Sequence, residues 1–159
     1  FSQIAKPLET RRQNLQLNPL LRQIAELYRE QHLELDLHEP LGNISADPVH
    51  LRQILINLMK NAIEATQNQD APQIRWHTSQ HNGQITLDIE DNGPGFADLN
   101  KDPFEPYVTN KPKGTGLGLA IVKKIVHEHD GTISAGHSRD LGGAKITITL
   151  PLTTTSTTP

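Results

Sequence analysis

Carboxamide side chains recur along one predicted helix in the first half of the chain. Asn57 and Asn61 are four residues apart, and Gln53, Lys60 and Glu64 extend the same polar stripe. Residues three and four positions apart lie on one helix face. A carboxamide oxygen is a neutral ligand for Mg²⁺, which completes its coordination with water and phosphate oxygens. Taken alone, the stripe is more typical of a solvated helix face.

A carboxylate and two glycines follow a predicted strand at Asp91, Gly93 and Gly95. A carboxylate there can accept a hydrogen bond from the exocyclic amine of adenine. Glycines let a flat ring approach the backbone closely. Taken alone, the stretch also fits an ordinary tight turn.

A second glycine cluster opens a predicted helix, with the sequence Gly114-Thr115-Gly116-Leu117-Gly118-Leu119. Backbone N–H groups and the positive end of the helix dipole converge at such a start, which favours phosphate binding. The spacing differs from the dinucleotide-binding fingerprint and from the Walker-type phosphate loop. A last glycine pair, Gly142-Gly143, marks a turn between the final two predicted strands.

The elements that must position these residues follow from periodicity. Asn18-Pro19 predicts a helix over about 19–32, and Asp47-Pro48 predicts another that continues to about residue 67. A third helix is predicted over 117–129, ending at Asp130-Gly131. Asn82-Gly83 predicts a hairpin turn. Strands are predicted over 33–37, 73–80, 84–90, 132–137 and 144–150, and a short extended piece around 43–46.

These elements predict an α/β fold, a two-layer sandwich of about three helices on one mixed, mostly antiparallel sheet. Residues 92–113 show no period and contain four prolines, so a lid is predicted over about 96–113. Residues 1–17 are predicted to be a linker or the end of a preceding helix. The threonine-rich residues 152–159 are predicted to be a disordered tail.

Composition excludes several classes of function. The 159 residues fit about one domain, and a net charge of −3 gives no basic field for nucleic acid or anionic membranes. Without cysteine the chain has neither disulfides nor thiolate metal sites. No apolar run approaches the roughly 20 residues that span a bilayer. A cytoplasmic segment without direct membrane contact is expected, and because the chain begins with Phe1 we expect it to be part of a longer protein.

Together the motifs resemble the catalytic ATP-binding domain of sensor histidine kinases, within the superfamily of gyrase-, Hsp90- and MutL-type ATPases. The resemblance covers about residues 18–151 and is greatest to the nitrogen-regulation type. It rests on the N box (57–62), the G1 box (91–95), the F box (104–107) and the G2 box (114–118). It implies the Bergerat ATP-binding fold, with ATP and Mg²⁺ as ligands. It also implies transfer of the γ-phosphate to a histidine on a separate dimerisation domain, for relay to a response regulator.

The resemblance also implies roles for single residues. Asn61 would bind Mg²⁺ with support from Asn57, and Asp91 would hold the adenine amine between Gly93 and Gly95. Lys60 or Lys111 would supply positive charge, so that Asn57, Lys60 and Lys111 are the candidate catalytic residues. Phe104 and Tyr107 would help to dock the lid on the partner helix. The phosphates, and the hinge of the lid, would involve Gly114, Thr115, Gly116, Leu117, Gly118 and Leu119.

Two positions depart from the family pattern. Glu64 stands where many relatives have a lysine that reaches phosphate, and Ala65 where many have an aromatic ring on adenine. Gyrase-type ATPases have a general-base glutamate at the position of Asn57, and an amide cannot take a proton from water, so hydrolysis is expected to be poor. The alternatives are an anti-sigma-type serine kinase of this fold, a hydrolysing ATPase clamp, and an interaction module in which ATP only orders the lid.

None of the eight histidines has the surroundings of a phosphoacceptor. His38 is followed too soon by proline, and His127 and His129 end a predicted helix. The histidines are therefore predicted to be exposed to solvent. The acceptor is expected upstream or on another protein.

Overall fold

The helices and strands of the computed structural model lie within residues 9–98, 100–106 and 118–153, which are the residues that the structure describes. Within these ranges, no helix has the length and apolar content needed to cross a membrane. A 3-10 turn, Glu26–Tyr28, follows the first helix. The other elements are β1 (Gln13–Leu15), α1 (Leu17–Ala25), β2 (Leu33–Leu37), β3 (Ile44–Ala46), α2 (Pro48–Thr66), β4 (Ile74–His81), β5 (Gln84–Asp91), α3 (Gly118–Glu128), β6 (Thr132–His137) and β7 (Ala144–Pro151).

The main sheet has five strands in the order β2-β4-β5-β7-β6. Strand β2 runs parallel to β4, and the other neighbours are antiparallel. Strands β1 and β3 form a separate antiparallel pair. The fold class predicted from the sequence, helices on one mixed and mostly antiparallel sheet, is confirmed.

The alternation of side chains between the two faces of the central strands produces the core. Side chains alternate between the two faces of a strand, and one face of β4, β5 and β7 is apolar and buried against the helices. Trp76 is completely buried there, and its indole N–H donates to Sδ of Met59 on α2 at 3.3 Å. The buried apolar residues of these three strands are Ile74, Trp76, Ile85, Leu87, Ile89, Ile146, Ile148 and Leu150.

The hairpin between β4 and β5 fixes the register on which the candidate site depends. Asn82 and Gly83 both have positive φ, 52° and 77°, as a type I′ turn requires. From this turn the register pairs Arg75 with Glu90 and brings Asp91 to the end of the ladder. The predicted hairpin is confirmed.

Helix α2 begins where Asp47-Pro48 predicted. Oδ1 of Asp47 accepts the N–H of Val49 at 2.9 Å, and Oδ2 accepts the N–H of Arg11 at 2.8 Å. Burial by itself would raise the pKa of Asp47, but these backbone hydrogen bonds lower it below its ordinary value. The helix cap therefore also holds the N-terminal segment.

Helix α1 differs from its prediction at both ends. It begins at Leu17 and ends at Ala25. Asn18 is buried inside the first turn rather than capping it. Its side-chain N–H donates to the carbonyl of His38 at 2.7 Å, and its Oδ1 accepts from Thr78 at 3.1 Å. The prediction of a cap was wrong because these long-range partners bind the amide.

Both terminal segments contain more structure than predicted. Residues 13–15, predicted to be a linker or helix end, form strand β1 and pair with β3. Leu152 bridges to Ile44, and the N–H of Thr153 donates to the carbonyl of Asn43 at 2.7 Å. These two residues of the predicted tail are therefore paired with the domain. Residues 1–8 and 154–159 lie outside the described residues.

The described part of the predicted lid has an apolar anchor that the sequence analysis did not foresee. Phe104 is buried in the core, with 6% of its surface exposed. Asp102 accepts the N–H of Phe104 at 2.9 Å and lies 3.6 Å from Lys123 of α3. Phe104 is thus not presented for docking as the resemblance implied. Tyr107 lies outside the described residues, and the bounds of the lid remain a prediction.

Two histidines are buried, so the prediction that all are exposed was wrong. His50 and His129 expose 6% and 1% of their surface. Nε2 of His129 accepts the N–H of Asp47 at 3.0 Å, which leaves Nδ1 to donate to the carbonyl of Ile125 at 2.8 Å. His129 is therefore neutral and joins the end of α3 to the start of α2.

We predict that His129→Ala lowers the free energy of unfolding by about 2–4 kcal/mol, because it opens a cavity and leaves the Asp47 N–H unpaired. Urea denaturation measures this change. The control is His127→Ala on the same helix, where the side chain is exposed, and it should change the free energy by less than about 0.5 kcal/mol. Equal stabilities for the two variants would contradict the role of His129.

Candidate functional site

The Asp91 carboxylate is held at the end of β5 by backbone N–H groups. Asp91 is buried at the end of β5, with 6% of its surface exposed. Its Oδ1 accepts the N–H of Gly93 at 2.9 Å and the N–H of Ala144 at 3.2 Å. Its carbonyl accepts the N–H of Gly143 at 3.0 Å. Three backbone N–H groups therefore fix both the strand end and the carboxylate.

Glycine is required at two positions beside Asp91, because the backbones approach too closely for a side chain. A Cβ on Gly143 would overlap the Asp91 carboxylate and lie 2.6 Å from the Gly93 nitrogen. A Cβ on Gly93 would lie 2.6 Å from the carbonyl oxygen and 2.9 Å from Cβ of Ala65. The loop after Asp91 is thus packed directly on the last turn of α2.

The α2 residues of the predicted site are brought towards the same loop. Asn61 is one helical turn before Ala65, and Asn57 is one turn earlier still. Both are partly exposed, whereas the opposite face of α2 is buried in the core. Lys60 is exposed on the same helix. The structure therefore brings the carboxamide stripe and the Asp91 loop together.

Two further contacts hold the Asp91 loop. The side chain of Asn92 accepts the N–H of Gln73 at 2.9 Å and donates to the carbonyl of Ala71 at 2.7 Å. A Cβ on Gly95 would lie 3.2 Å from Nδ1 of His137. Sequence analysis missed the contribution of Ala144 to holding Asp91, because no local pattern indicates a contact between residues 53 positions apart.

The predicted phosphate-binding residues are described only in part. Gly118 is the first residue of α3, and a Cβ there would meet no atom of the described residues within 4 Å. Leu119 packs against the core, and α3 packs against α2. Five predicted site residues lie outside the described residues, namely Lys111, Gly114, Thr115, Gly116 and Leu117.

The described part of the site fits an adenine nucleotide. A carboxylate held at a strand end by backbone N–H groups suits the exocyclic amine of the base. The described residues contain no group of three or more His, Asp or Glu side chains arranged to hold a metal. A cation here would depend on carboxamide oxygens and the ligand's own phosphates, which is how Mg²⁺ is often held.

The sequence matches a protein family over residues 46–154. The family is described as "Histidine kinase-, DNA gyrase B-, and HSP90-like ATPase". The chain is also similar to the sensor histidine kinase ZraS of Escherichia coli O157:H7, with 35% identity over 164 residues. That match covers 99% of this chain and 35% of ZraS, so the chain spans about a third of the length of this relative.

Two solved structures, one of ShkA and one of the histidine kinase ThkA, are similar to this fold. Full-length ShkA in complex with AMPPNP has a TM-score of 0.72 and 31% identity, covering 92% of this chain and 32% of ShkA. ThkA in complex with the response regulator protein TrrA has a TM-score of 0.79 and 26% identity. That match covers 96% of this chain and 45% of ThkA.

The match over residues 46–154 includes the described site residues, from the carboxamide stripe of α2 to Gly143. The resemblance identified from the four sequence boxes is thereby confirmed. The chain belongs to the family of histidine kinase-, DNA gyrase B- and HSP90-like ATPases and is an ATP-binding catalytic domain of the sensor histidine kinase type.

Proposed function

We propose that this chain binds Mg·ATP and transfers the γ-phosphate to a histidine on the dimerisation domain of its parent kinase, for relay to a response regulator. The observation that carries the proposal is the buried Asp91 carboxylate, held by backbone N–H groups beside α2. The AMPPNP in the ShkA structure and the response regulator in the ThkA structure support it. The domain works in the cytoplasm, where ATP is supplied.

The base is recognised at Asp91. The carboxylate accepts from the exocyclic amine of adenine, while Gly93 and Gly95 shape the base pocket. Guanine has a carbonyl oxygen at the corresponding position, so that two acceptors would meet. A buried acceptor left without a donor costs about 1–3 kcal/mol, which is enough to select ATP over GTP.

The phosphates are held between α2 and the start of α3. Asn61 binds Mg²⁺ with support from Asn57, and Lys60 or Lys111 adds positive charge. Bound Mg²⁺ neutralises phosphate charge and orients the γ-phosphate for transfer. The backbone from Gly114 to Leu119 supplies N–H donors and the positive end of the α3 dipole. The residues proposed to bind the phosphates are Gly114, Thr115, Gly116, Leu117, Gly118 and Leu119.

Transfer to a protein is favoured over hydrolysis at this site. The acceptor imidazole nitrogen attacks the γ-phosphorus, the bond to the β-phosphate oxygen breaks, and ADP leaves. The rate comes from in-line positioning and charge neutralisation. Asn57 offers an amide rather than a carboxylate, so it cannot take a proton from an attacking water. Phe104 is buried in the structure described here, so the proposal assigns it no part in docking.

We predict that Asp91→Asn removes most of the preference for ATP over GTP. The carboxamide can donate to the guanine carbonyl. The dissociation constant for GTP divided by that for ATP should therefore fall about tenfold or more. Calorimetric titration with both nucleotides measures it. The control is Asp88→Asn on the same strand, whose carboxylate bonds Thr147 instead, and it should keep the parent's ratio. Comparable ATP and GTP affinities in the parent chain would exclude this role for Asp91.

We predict that Asn61→Ala makes ATP binding largely independent of Mg²⁺, because it removes the proposed protein ligand of the ion. ATP is titrated with Mg²⁺ and with a chelator, and the ratio of the two affinities should fall towards one. Gln53→Ala, two turns earlier on the same stripe, should keep the ratio of the parent chain. If Asn61→Ala keeps it as well, the ligand assignment is wrong.

We predict that the chain alone binds ATP without acquiring acid-labile phosphate, since none of its histidines has the surroundings of an acceptor. Adding the dimerisation segment of a sensor kinase of this type should produce acid-labile label on that segment from γ-labelled ATP. The same segment with its acceptor histidine changed to Gln should remain unlabelled. Acid-labile label on the isolated chain would contradict the proposal. Acid-stable label on a protein partner would favour the serine kinase instead.

A further inference from the structure

A polar cluster lies on the sheet face opposite to the helices, beneath the loop that contacts Asp91. We call it the open-face network and define it as Arg75, Glu90, Ser138 and Asp140. Arg75 Nη2 lies 2.8 Å from Oε2 of Glu90 and 2.7 Å from Oδ2 of Asp140. The hydroxyl of Ser138 donates to the other oxygen of Glu90 at 2.9 Å. Both Glu90 oxygens are thus bound.

The network is charged, and its centre is buried. Glu90 and Ser138 expose 5% and 3% of their surface. The hydrogen bonds that Arg75 donates, to Asp140 and then to Glu90, raise the pKa of Arg75, and Arg75 in turn lowers the pKa of the Asp140 carboxyl. A buried carboxylate needs such partners, because an unpaired one is costly. The Arg75 and Ser138 contacts are therefore tied to the position of Glu90.

Ser138 connects Glu90 to the loop between β6 and β7. Its hydroxyl accepts the N–H of Leu141 at 3.0 Å, and its carbonyl accepts the N–H of Gly142 at 2.9 Å. Its own N–H donates to the carbonyl of Gly143 at 2.8 Å. One serine therefore sets the shape of the turn that ends at Gly143.

The same turn holds the Asp91 carboxylate. Gly143 and Ala144 donate to the carbonyl and to Oδ1 of Asp91. Glu90 and Asp91 are adjacent on β5, so their side chains point to opposite faces of the sheet. The connection from Glu90 through Ser138 and the turn to Asp91 thus links the open face to the candidate adenine pocket.

We propose that Arg75, Glu90 and Ser138 form a positioning unit that sets the direction of the Asp91 carboxylate and so the selectivity for the base. The proposal rests on the proposed function, in which Asp91 binds adenine. The unit touches no nucleotide itself. It acts through the turn at Gly143. Ser138 of the network bonds this turn, and Gly143 and Ala144 at the end of the turn bond Asp91.

A matched pair on the same sheet face separates this role from simple stabilisation. The hydroxyl of Thr147 on β7 donates to Oδ1 of Asp88, its partner on the neighbouring strand β5, at 2.7 Å. Asp88 is also buried, with 8% of its surface exposed. This bond resembles the Ser138–Glu90 bond in its chemical groups, although Thr147 is half-buried where Ser138 is buried, and the Thr147 hydroxyl makes no bond to the turn.

The test compares Ser138→Ala with Thr147→Val, each of which removes one hydroxyl that donates to a buried carboxylate. Dissociation constants for Mg·ATP and Mg·GTP are measured by calorimetry. Ser138→Ala should lower the selectivity for ATP about three- to tenfold, the size expected for a loosened hydrogen bond. Thr147→Val should keep the parent's selectivity. Equal selectivity for the two variants would overturn the proposal.

Amide exchange followed by NMR gives a second measurement that does not depend on nucleotide. The N–H groups of Gly93 and Ala144 should exchange faster in Ser138→Ala than in Thr147→Val when the two variants have similar global stability. Arg75→Ala should show the same effect, and Arg75→Lys should restore part of the protection. Unchanged exchange at both amides in Ser138→Ala would also overturn the proposal.

Failure of this inference can be told apart from failure of the proposed function. If the parent chain selects ATP and Asp91→Asn abolishes the selectivity, but Ser138→Ala keeps it, then only the positioning unit is refuted. If Asp91→Asn keeps the selectivity of the parent chain, then the assignment of adenine to Asp91 is wrong, and the inference that rests on it fails too.

Discussion

The close approach of three backbone segments around Asp91 is the constraint on which the rest of the structure depends. The end of β5, the loop at Gly93 and the turn at Gly143 meet within hydrogen-bond distance of one carboxylate. That meeting requires glycine on two sides, because a Cβ on Gly143 or Gly93 would lie within 2.6 Å of a backbone atom. It also requires the register of the β4–β5 hairpin, since a slip of one residue would turn Asp91 to the other face.

The two helices that border the site are joined to each other as well as to the sheet. Asp47 caps α2, and its N–H donates to His129, which follows the last residue of α3. The N-terminal segment enters at the same point, because Asp47 also accepts the N–H of Arg11 and Arg12 bonds Asp130 at 3.0 Å. The helix that carries Asn61 and the helix that begins near the G2 box are therefore anchored to one buried polar centre.

Features that depend on near neighbours in the chain could be predicted from the sequence. Asp47-Pro48 started a helix and Asn82-Gly83 made a hairpin, because capping and turn geometry are local. Asn57 and Asn61 were assigned to one helix face for the same reason. The hairpin register also made the pairing of Arg75 with Glu90 accessible, although sequence analysis did not use it.

Features that depend on distant partners could not be predicted. Asn18 was taken for a cap, yet its amide binds His38 and Thr78, 20 and 60 residues away. His129 was taken for a surface residue, yet its partner Asp47 is 82 positions earlier. The burial of Phe104 was missed because no periodic pattern surrounds it. In each case a buried partner, rather than the local sequence, determines the conformation.

The close backbone packing beside Asp91 limits how the candidate pocket can change in evolution or in design. At Gly143 and Gly93 there is no side chain to vary, and any replacement overlaps neighbouring atoms. Point substitutions at these two positions cannot reshape the pocket without moving the main chain. Under the proposed role of Asp91, a new base preference must therefore arise at Asp91 itself, on the helix around Ala65, or through a change in the length of the turn after Ser138. Libraries directed to those three places, with both glycines kept, would search the variants that this architecture permits.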